Sequence, residues 1–443
     1  MKKFGCILKG GGIILGVLCT LEVYAQQNAG EYSLSDCIQY ALDNNITVKV
    51  SELTLKSAEN TLSQSRQERL PNLTGSASQN LSNGNSIDPI TSDFVSQRIH
   101  STSFGLSSSL TLYNGNKINN QIKQNKLLTD QKGFLLEESK NNIRLQVLEA
   151  YIQTAYAKEA VKIAENNLEK SKTQLSQTEG LFRAKTVTIK DLSDAQSQAA
   201  SAEYDLINAK KSFEQQKLIL KQLLELPPDR QFNIAGVDGL DKNAGVLPDK
   251  LSIYQSALKN MPEIQAQELG QESAAYDRLI ARSGYLPTLS LTGSLGTGYT
   301  NTQNYSFSDQ MEGNFNQRVG LSLQIPIYDK GKTRLSVKNA LISSENAALT
   351  MQQLEKTLYQ KIETVWLSAS VAQEQKNAAQ SARDAAKTAL DAAEANFTAG
   401  NSTATDLIIA RTAYNNAEQN YLQIKYLAFL YQQQLQFYQQ GTI

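Results

Sequence analysis

Two periodicities alternate along this chain, and each occurs twice. Past Pro71, Leu73, Gly75 and Ala77 alternate with Thr74, Ser76 and Ser78; past Pro287, Leu289, Leu291, Gly293 and Leu295 alternate with Ser290, Thr292 and Ser294. Two return segments follow the same rule: Phe104, Leu106, Ser108, Leu110, Leu112, and Val319, Leu321, Leu323, Ile325, Ile327. A period of two puts alternate side chains on opposite faces of a β-strand. Four strands are therefore predicted, in pairs at about 72–113 and 288–328. One face is apolar and the other carries Ser, Thr, Gln and Gly. Each run is about ten residues, the length a tilted strand needs to cross a bilayer. A half-buried sheet in a soluble domain has the same alternation. The polar stretches Asn80 to Ser101 and Tyr299 to Phe315 are predicted as long loops at one end of the strands, with His100 solvated in the first.

Between the strand pairs the period becomes helical. From Gly115 to Gly180 there is no proline, and Val147, Thr154, Val161, Leu168, Leu175 and Phe182 recur every seven residues. Four residues ahead of each runs a smaller line: Ile143, Ala150, Ala157, Ala164, Ser171, Thr178. The later counterpart is Ala372, Ala379, Ala386, Ala393. Heptad spacing predicts coiled-coil packing, and small seams let helices approach closely. At ~1.5 Å per residue, a helix of about 65 residues reaches roughly 100 Å, far longer than a compact domain needs. Shorter helices precede the strands. The first opens on Ser33 and Asp36, a capping-box spacing, and its counterpart on Asp249. Each ends where Pro71 or Pro287 forces the preceding residue out of the helical region.

The order helix, two strands, long helix, turn, long helix is a duplication. Gln39 to Asn44 matches Gln255 to Asn260 and Leu70-Pro71 matches Leu286-Pro287, both at an offset of 216. Leu112-Tyr113 to Lys117 matches Ile327-Tyr328 to Lys332, and Phe182 to Leu192 matches Phe397 to Leu407, at 215. The repeats divide the chain into 26–226 and 249–443, joined by a Pro-, Gly- and Asp-bearing linker at 227–248.

Residues 1–25 read as an export signal: Lys2, Lys3 and Lys9, an apolar run from Ile13 to Leu21, then Val23-Tyr24-Ala25 with cleavage expected before Gln26. Removing them takes Lys+Arg from 43 to 40 and Asp+Glu from 43 to 42. That balance gives no electrostatic case for a nucleic-acid partner. Cys6 and Cys19 leave with the signal, so Cys37 has no disulfide partner within the chain. One His and one Cys cannot build a His/Cys metal site or a Cys-His nucleophile pair; no catalytic residue or cofactor is expected, and the pair Glu137-Glu138 is read as a solvated helix face. No phosphate-binding loop of the GxxxxGK[ST] type occurs. Trp366 is expected to pack beside the alanine seam, and the C-terminal aromatics to pack the last helix.

Four strands cannot close a barrel, since single-chain barrels start at about eight, and an open edge in lipid leaves backbone groups unpaired. Copies must pool their strands; two or three satisfy the physics. At this point the chain resembles the TolC-like family of trimeric outer-membrane efflux channels. The resemblance rests on the paired Leu-Pro strand entries, the turns Tyr113-Asn-Gly-Asn-Lys117 and Tyr328-Asp-Lys-Gly-Lys332, and Phe397-Thr-Ala-Gly400 with Asp406-Leu407. It implies a mixed α/β membrane protein: a homotrimer whose transmembrane β-barrel, four strands per chain, continues as a long α-helical coiled-coil tunnel. A small equatorial domain would take the linker and the C-terminal tail.

The resemblance also implies site residues and partners. Asp191, Asp194 and Asp406, with Lys185 and Ser402, fall at the positions of a periplasmic gate. Ser402 stands where a basic residue is common and Ile409 where a second acid occurs, so a closing ion pair must be wired differently, through Lys185, Lys190 or Arg183. Aspartates near a helix start also favour its dipole with no gating role. Phe182, Ala184, Thr186, Phe397, Gly400, Asn401 and Thr403 fall at the tips that would dock a periplasmic adaptor and an inner-membrane pump. Tyr113, Tyr285 and Tyr328 sit where an aromatic girdle meets outer-membrane lipid. Small-molecule export is the implied activity; polypeptide secretion and a non-conducting trimeric surface stalk are the alternatives.

Overall fold

The computed structural model describes residues 31–87, 90–237, 240 and 247–441. The export-signal residues, and linker positions 238–239 and 241–246, lie outside them.

Ser33 caps α1 (Leu34–Asn44) with a complete capping box: its hydroxyl accepts the Asp36 N–H, and the Asp36 carboxylate accepts the Ser33 N–H. The single helix expected from Ser33 to Pro71 is in fact two. Asn45 is extended (φ −61°, ψ 131°), and its side-chain oxygen accepts the Thr47 N–H to start α2 (Ile46–Gln67). Its amide donates to the Leu223 carbonyl at 2.9 Å. The second half breaks 216 residues later, at Met261, between α5 (Lys250–Asn260) and α6 (Pro262–Arg282). There Pro262 forces the break, because the residue before proline is excluded from the α region.

The strands are β1 (Thr74–Ile87), β2 (Phe94–Asn114), β3 (Thr288–Thr300) and β4 (Asn316–Gln324), one antiparallel sheet in chain order. Leu110, Leu291 and Leu321 stand opposite one another across three strands, as do Leu106 and Leu295 across two. The predicted apolar face is thus one continuous surface.

Three segments around the strands differ from expectation. Most of the stretch Asn80 to Ser101 is strand, because β1 and β2 stay paired out to Ile87 and Phe94 as a two-stranded ribbon beyond β3. His100 accordingly lies in β2, opposite Leu81 and still exposed. In the second loop, Ser306 caps a short helix, α7 (Phe307–Gly313), and the buried Gln310 side chain binds both the N–H and the C=O of Thr300. Finally, β4 stops at Gln324, so Ile325 and Ile327 lie outside the strand expected to contain them.

Each sheet half feeds a 67-residue helix, α3 (Lys117–Arg183) and α8 (Lys332–Thr398); at ~1.5 Å per residue each is about 100 Å long. The entry turns need two successive residues at positive φ: Gly115 and Asn116 before α3, Lys330 and Gly331 before α8. One glycine serves each turn, at alternate positions. At Gly115 a Cβ would lie 2.8 Å from Leu286 Cβ, so the close approach to the other half also requires glycine there. The chain returns along α4 (Ile189–Leu223) and α9 (Ala404–Gln440). All six members of the small line from Ile143 to Thr178 are buried. In α8, Ala372 and Ala379 are buried, whereas Ala386 and Ala393 are only half-buried.

Two hydrophobic clusters sit where the short helices break. The first gathers Cys37, Val48, Val147, Tyr151, Phe232 and Ile234; the second Ile253, Met261, Ile264, Leu358, Ile362 and Phe437. Burial pushes the Cys37 thiol up to about 12. Tyr151 donates from its hydroxyl to the carbonyls of Tyr32 (3.1 Å) and Ala235 (3.0 Å), fastening the linker to α3. Trp366 packs at the second cluster, and its indole N–H donates to Pro248 O. The C-terminal aromatics belong to α9, which runs to Gln440, and Leu422, Tyr426 and Leu430 of that helix share the first cluster with the linker residues Phe232 and Ile234.

Candidate functional site: the helix-pair tips and the sheet boundary

The tips repeat each other bond for bond. At the first, Thr186 N–H reaches back to Leu181 O and Lys185 N–H to Phe182 O; at the second, Asn401 N–H reaches Asn396 O and Gly400 N–H reaches Phe397 O. These pairs of bonds form the Schellman motif, which needs a left-handed residue just past the helix. Gly400 supplies it at φ +72°, and Lys185 takes the same conformation at φ +61°. The first tip therefore carries a strained, exposed lysine where the second carries glycine.

The descending helices then start identically. Thr188 caps α4 and Thr403 caps α9, each in a capping box with an aspartate three residues on, Asp191 or Asp406. Each threonine hydroxyl also donates to that carboxylate, at 2.6 and 2.7 Å. These hydroxyl and backbone N–H donors hold both carboxyls below the usual carboxylate range. Asp191 and Asp406 are thus committed to their own helix starts.

Asp194 behaves differently. It accepts from Lys190 Nζ at 2.7 Å, and the same ammonium lies 3.3 Å from Thr405 Oγ1 in the second tip. The hydrogen bond to Asp194, and the charges of Asp194 and Asp191, push the Lys190 ammonium above its ordinary value. Lys190 thus reaches from the first tip to the second, whereas Lys185 is exposed and makes no ion pair among the described residues. Ser402 is half-buried, and its hydroxyl finds no partner among them. Phe182 and Phe397 are half-buried; Ala184, Thr186, Gly400, Asn401 and Thr403 face solvent.

One charged pair near the tips escaped the sequence reading. Arg411 Nη2 donates to Glu394 Oε1 at 3.0 Å across the α8–α9 pair, with the arginine side chain only 7% exposed. Its Nε has no partner among the described residues, and a cavity of about 510 Å³ lies beside it, lined on the α3 side by Glu169, Lys170 and Gln174. The available signal was Ala404, Leu407 and Arg411 at i, i+3 and i+7, which places a cation on a core face.

At the other end of the long helices, Tyr113, Tyr285 and Tyr328 are 42%, 54% and 84% exposed. A bulge between Thr111 and Tyr113 brings Tyr113 opposite Leu289, on the apolar face. Tyr285 lies in the 3-10 turn Ser283–Tyr285 before β3, and Tyr328 in the loop after β4. The helix–strand junctions thus carry all three rings.

A sheet with one apolar face, joined through aromatic-lined junctions to two helices about 100 Å long, defines a membrane-anchored helical-tunnel protein. The chain belongs to the outer membrane efflux protein family, whose model matches residues 37–225 and 253–438, the two repeats. It is 21% identical over 328 residues to the outer membrane efflux protein BepC of Brucella suis, covering 74% of this chain and 68% of that one. It is 28% identical over 205 residues to the outer membrane protein TolC of Escherichia coli, covering 44% of this chain and 40% of that one. The fold matches the crystal structure of CusC with a TM-score of 0.79 at 18% identity, over 94% of this chain and 95% of that one.

Proposed function

We propose that three copies of this chain form the outer-membrane channel of a tripartite export system, conducting small molecules passively from an inner-membrane pump, through a periplasmic adaptor, to the cell exterior. The observation that carries this reading is the four-stranded sheet in the order β1-β2-β3-β4, in which β1 and β4 are the outer strands and no further strand joins them among the described residues. Such edges are tolerated in lipid only when other strands cover them, and three copies supply twelve strands. The long helices then extend the wall of the pore away from the membrane. The tips, residues 181–195 and 396–410, are the docking surface and the gate. Within the gate, the Lys190–Asp194 pair and its contact to Thr405 hold one tip against the other, while Asp191 and Asp406 stiffen the turns that carry them.

Planar-bilayer recording on the purified protein tests the reading. Wild-type protein should give small, closed-state currents, and Asp194→Ala with Asp406→Ala together should raise them. Absence of any stepwise conductance from both proteins would defeat the channel reading; equal conductance would defeat the gate.

A further inference from the structure

The strands of this sheet are nearly free of charge. β1, β2, β3 and β4 contain neither Asp nor Glu, and their basic residues are Arg98, His100 and Arg318. Arg98 and His100 alternate in step with Phe104 and Leu106, on the apolar face. Arg318 stands on the other face, opposite Ser294, where every other position is Ser, Thr, Gly, Asn or Gln in β3 and β4. It is exposed, and its side chain makes neither an ion pair nor a hydrogen bond among the described residues.

The duplication shows that the sheet does not need an arginine at this step. Adding 216 to Ser78 and 215 to Ser103 gives Ser294 and Arg318, and the two pairs hold equivalent places in the β1–β2 and β3–β4 registers. In the first half the paired residues are both serines, whose hydroxyls bond each other at 2.7 Å. In the second half a long cation replaces one of them. Gly320 follows it on the same face of β4, and Gly296 lies diagonally across on β3, so no bulky neighbour presses the guanidinium against the wall. The nearest carboxylate along the chain, Glu312, belongs to α7 and lies outside the strand.

We propose that Arg318 from three copies forms a cationic ring in the barrel lumen, which favours the passage of anions over cations. The ring rests on the trimeric channel proposed above, in which the apolar face meets lipid and the other face meets water. Twelve strands ~4.8 Å apart and tilted by ~40° enclose a barrel about 24 Å across. An arginine reaching inward from that wall comes within about 10 Å of the axis, one Debye length at 0.1 M salt. Whichever strands lie beside β4, none of the four kinds in the chain can supply a carboxylate to cancel the charge. Three charges at that distance, screened at about 0.1 M salt, raise the ratio of anions to cations near the axis on the order of two- to fourfold. Asp191 and Asp406 act at the opposite end of the long helices and are common to every variant below.

Reversal potentials of single channels of the full-length protein under a potassium chloride gradient test the ring. Arg318→Ser, which repeats the residue of the first half, should lower the anion-to-cation permeability ratio on the order of two- to fourfold at about 0.1 M salt, and Arg318→Glu should lower it further. Arg318→Lys should keep the wild-type ratio, and so should Arg98→Ser, a charge removed from the apolar face. At about 1 M salt, where the Debye length is ~3 Å, the differences should vanish. Stepwise currents with one and the same ratio in wild type, Arg318→Ser and Arg318→Glu overturn the ring and leave the channel standing, as does an equal shift from Arg98→Ser. Failure of Arg318→Ser to assemble would make the arginine a structural residue and overturn the ring as well. No stepwise current from the wild-type protein overturns channel and ring together.

Discussion

Removing the ion pair between Arg411 and Glu394 should have unequal consequences depending on which partner goes. Glu394→Gln leaves the guanidinium, whose side chain is 7% exposed, without its counter-charge, whereas Arg411→Met leaves a carboxylate that is 42% exposed and can be hydrated. Stranding one charge of a fully buried pair costs about 3–5 kcal/mol. Here the adjoining cavity admits water and carries Glu169, so about 2 kcal/mol is the appropriate figure for Glu394→Gln. Arg411→Met gives up one charge-assisted hydrogen bond, about 1.5–3 kcal/mol, but also removes the unpartnered Nε, which costs about 1–3 kcal/mol while it stays buried. Those two changes nearly cancel. Hydrogen exchange resolved along α8 and α9 is the direct assay, because local opening free energies appear there as protection. Amides flanking residues 394 and 411 should exchange about 30-fold faster in Glu394→Gln and within about threefold of wild type in Arg411→Met. Faster exchange in Arg411→Met than in Glu394→Gln would refute the assignment of the buried member as the costly one.

Two further perturbations separate other parts of the account. Tyr151→Phe deletes the hydroxyl that binds the Tyr32 and Ala235 carbonyls; it should cost about 1–2 kcal/mol and hasten proteolysis of the linker, with the tips unchanged. At the tips, the charged Asp191 and Asp406 carboxylates stabilise the first turns of α4 and α9, and both carboxyls are held below their ordinary range. That contribution is complete at neutral pH and is lost only as pH falls through the lowered folded values, below about pH 4. Thr188→Ala and Thr403→Ala should instead fray those turns at neutral pH, by about 1 kcal/mol each, as amide exchange of residues 189–192 and 404–407 would show. Fraying of the wild-type tips already at pH 6 would contradict the capping role.

Features set by local periodicity were legible before any coordinates. The line from Ile143 to Thr178 is buried at every position, and Ser33 closes the capping box its spacing announced. The repeat offsets predicted the strand pairs and both tips. Most of what escaped depended on contacts between distant segments. Asn45 breaks a helix that no proline interrupts, holding the turn through a bond to Leu223 O, 178 residues away. The stretch from Asn80 to Ser101 is rich in Asn and Ser with only scattered apolar residues, so composition reads it as loop while backbone pairing makes most of it strand. Ile325 and Ile327 keep strand alternation outside a strand, because Pro326 between them has no N–H to give to a ladder. At the tips, the left-handed Lys185 was hidden by the preference of that conformation for glycine, and of the three cations named for the tips only the contact with Thr405, 215 residues away, singles out Lys190.

The mass of the particle, measured by native mass spectrometry on protein extracted from outer membranes in detergent, tests most directly whether four strands per chain are completed by other copies. Three chains per particle, falling to smaller species only when the detergent is exchanged for denaturant, is the predicted result. A single chain that stays folded after the detergent is withdrawn would mean that the sheet edges need no partner, and no pore could then be built from them.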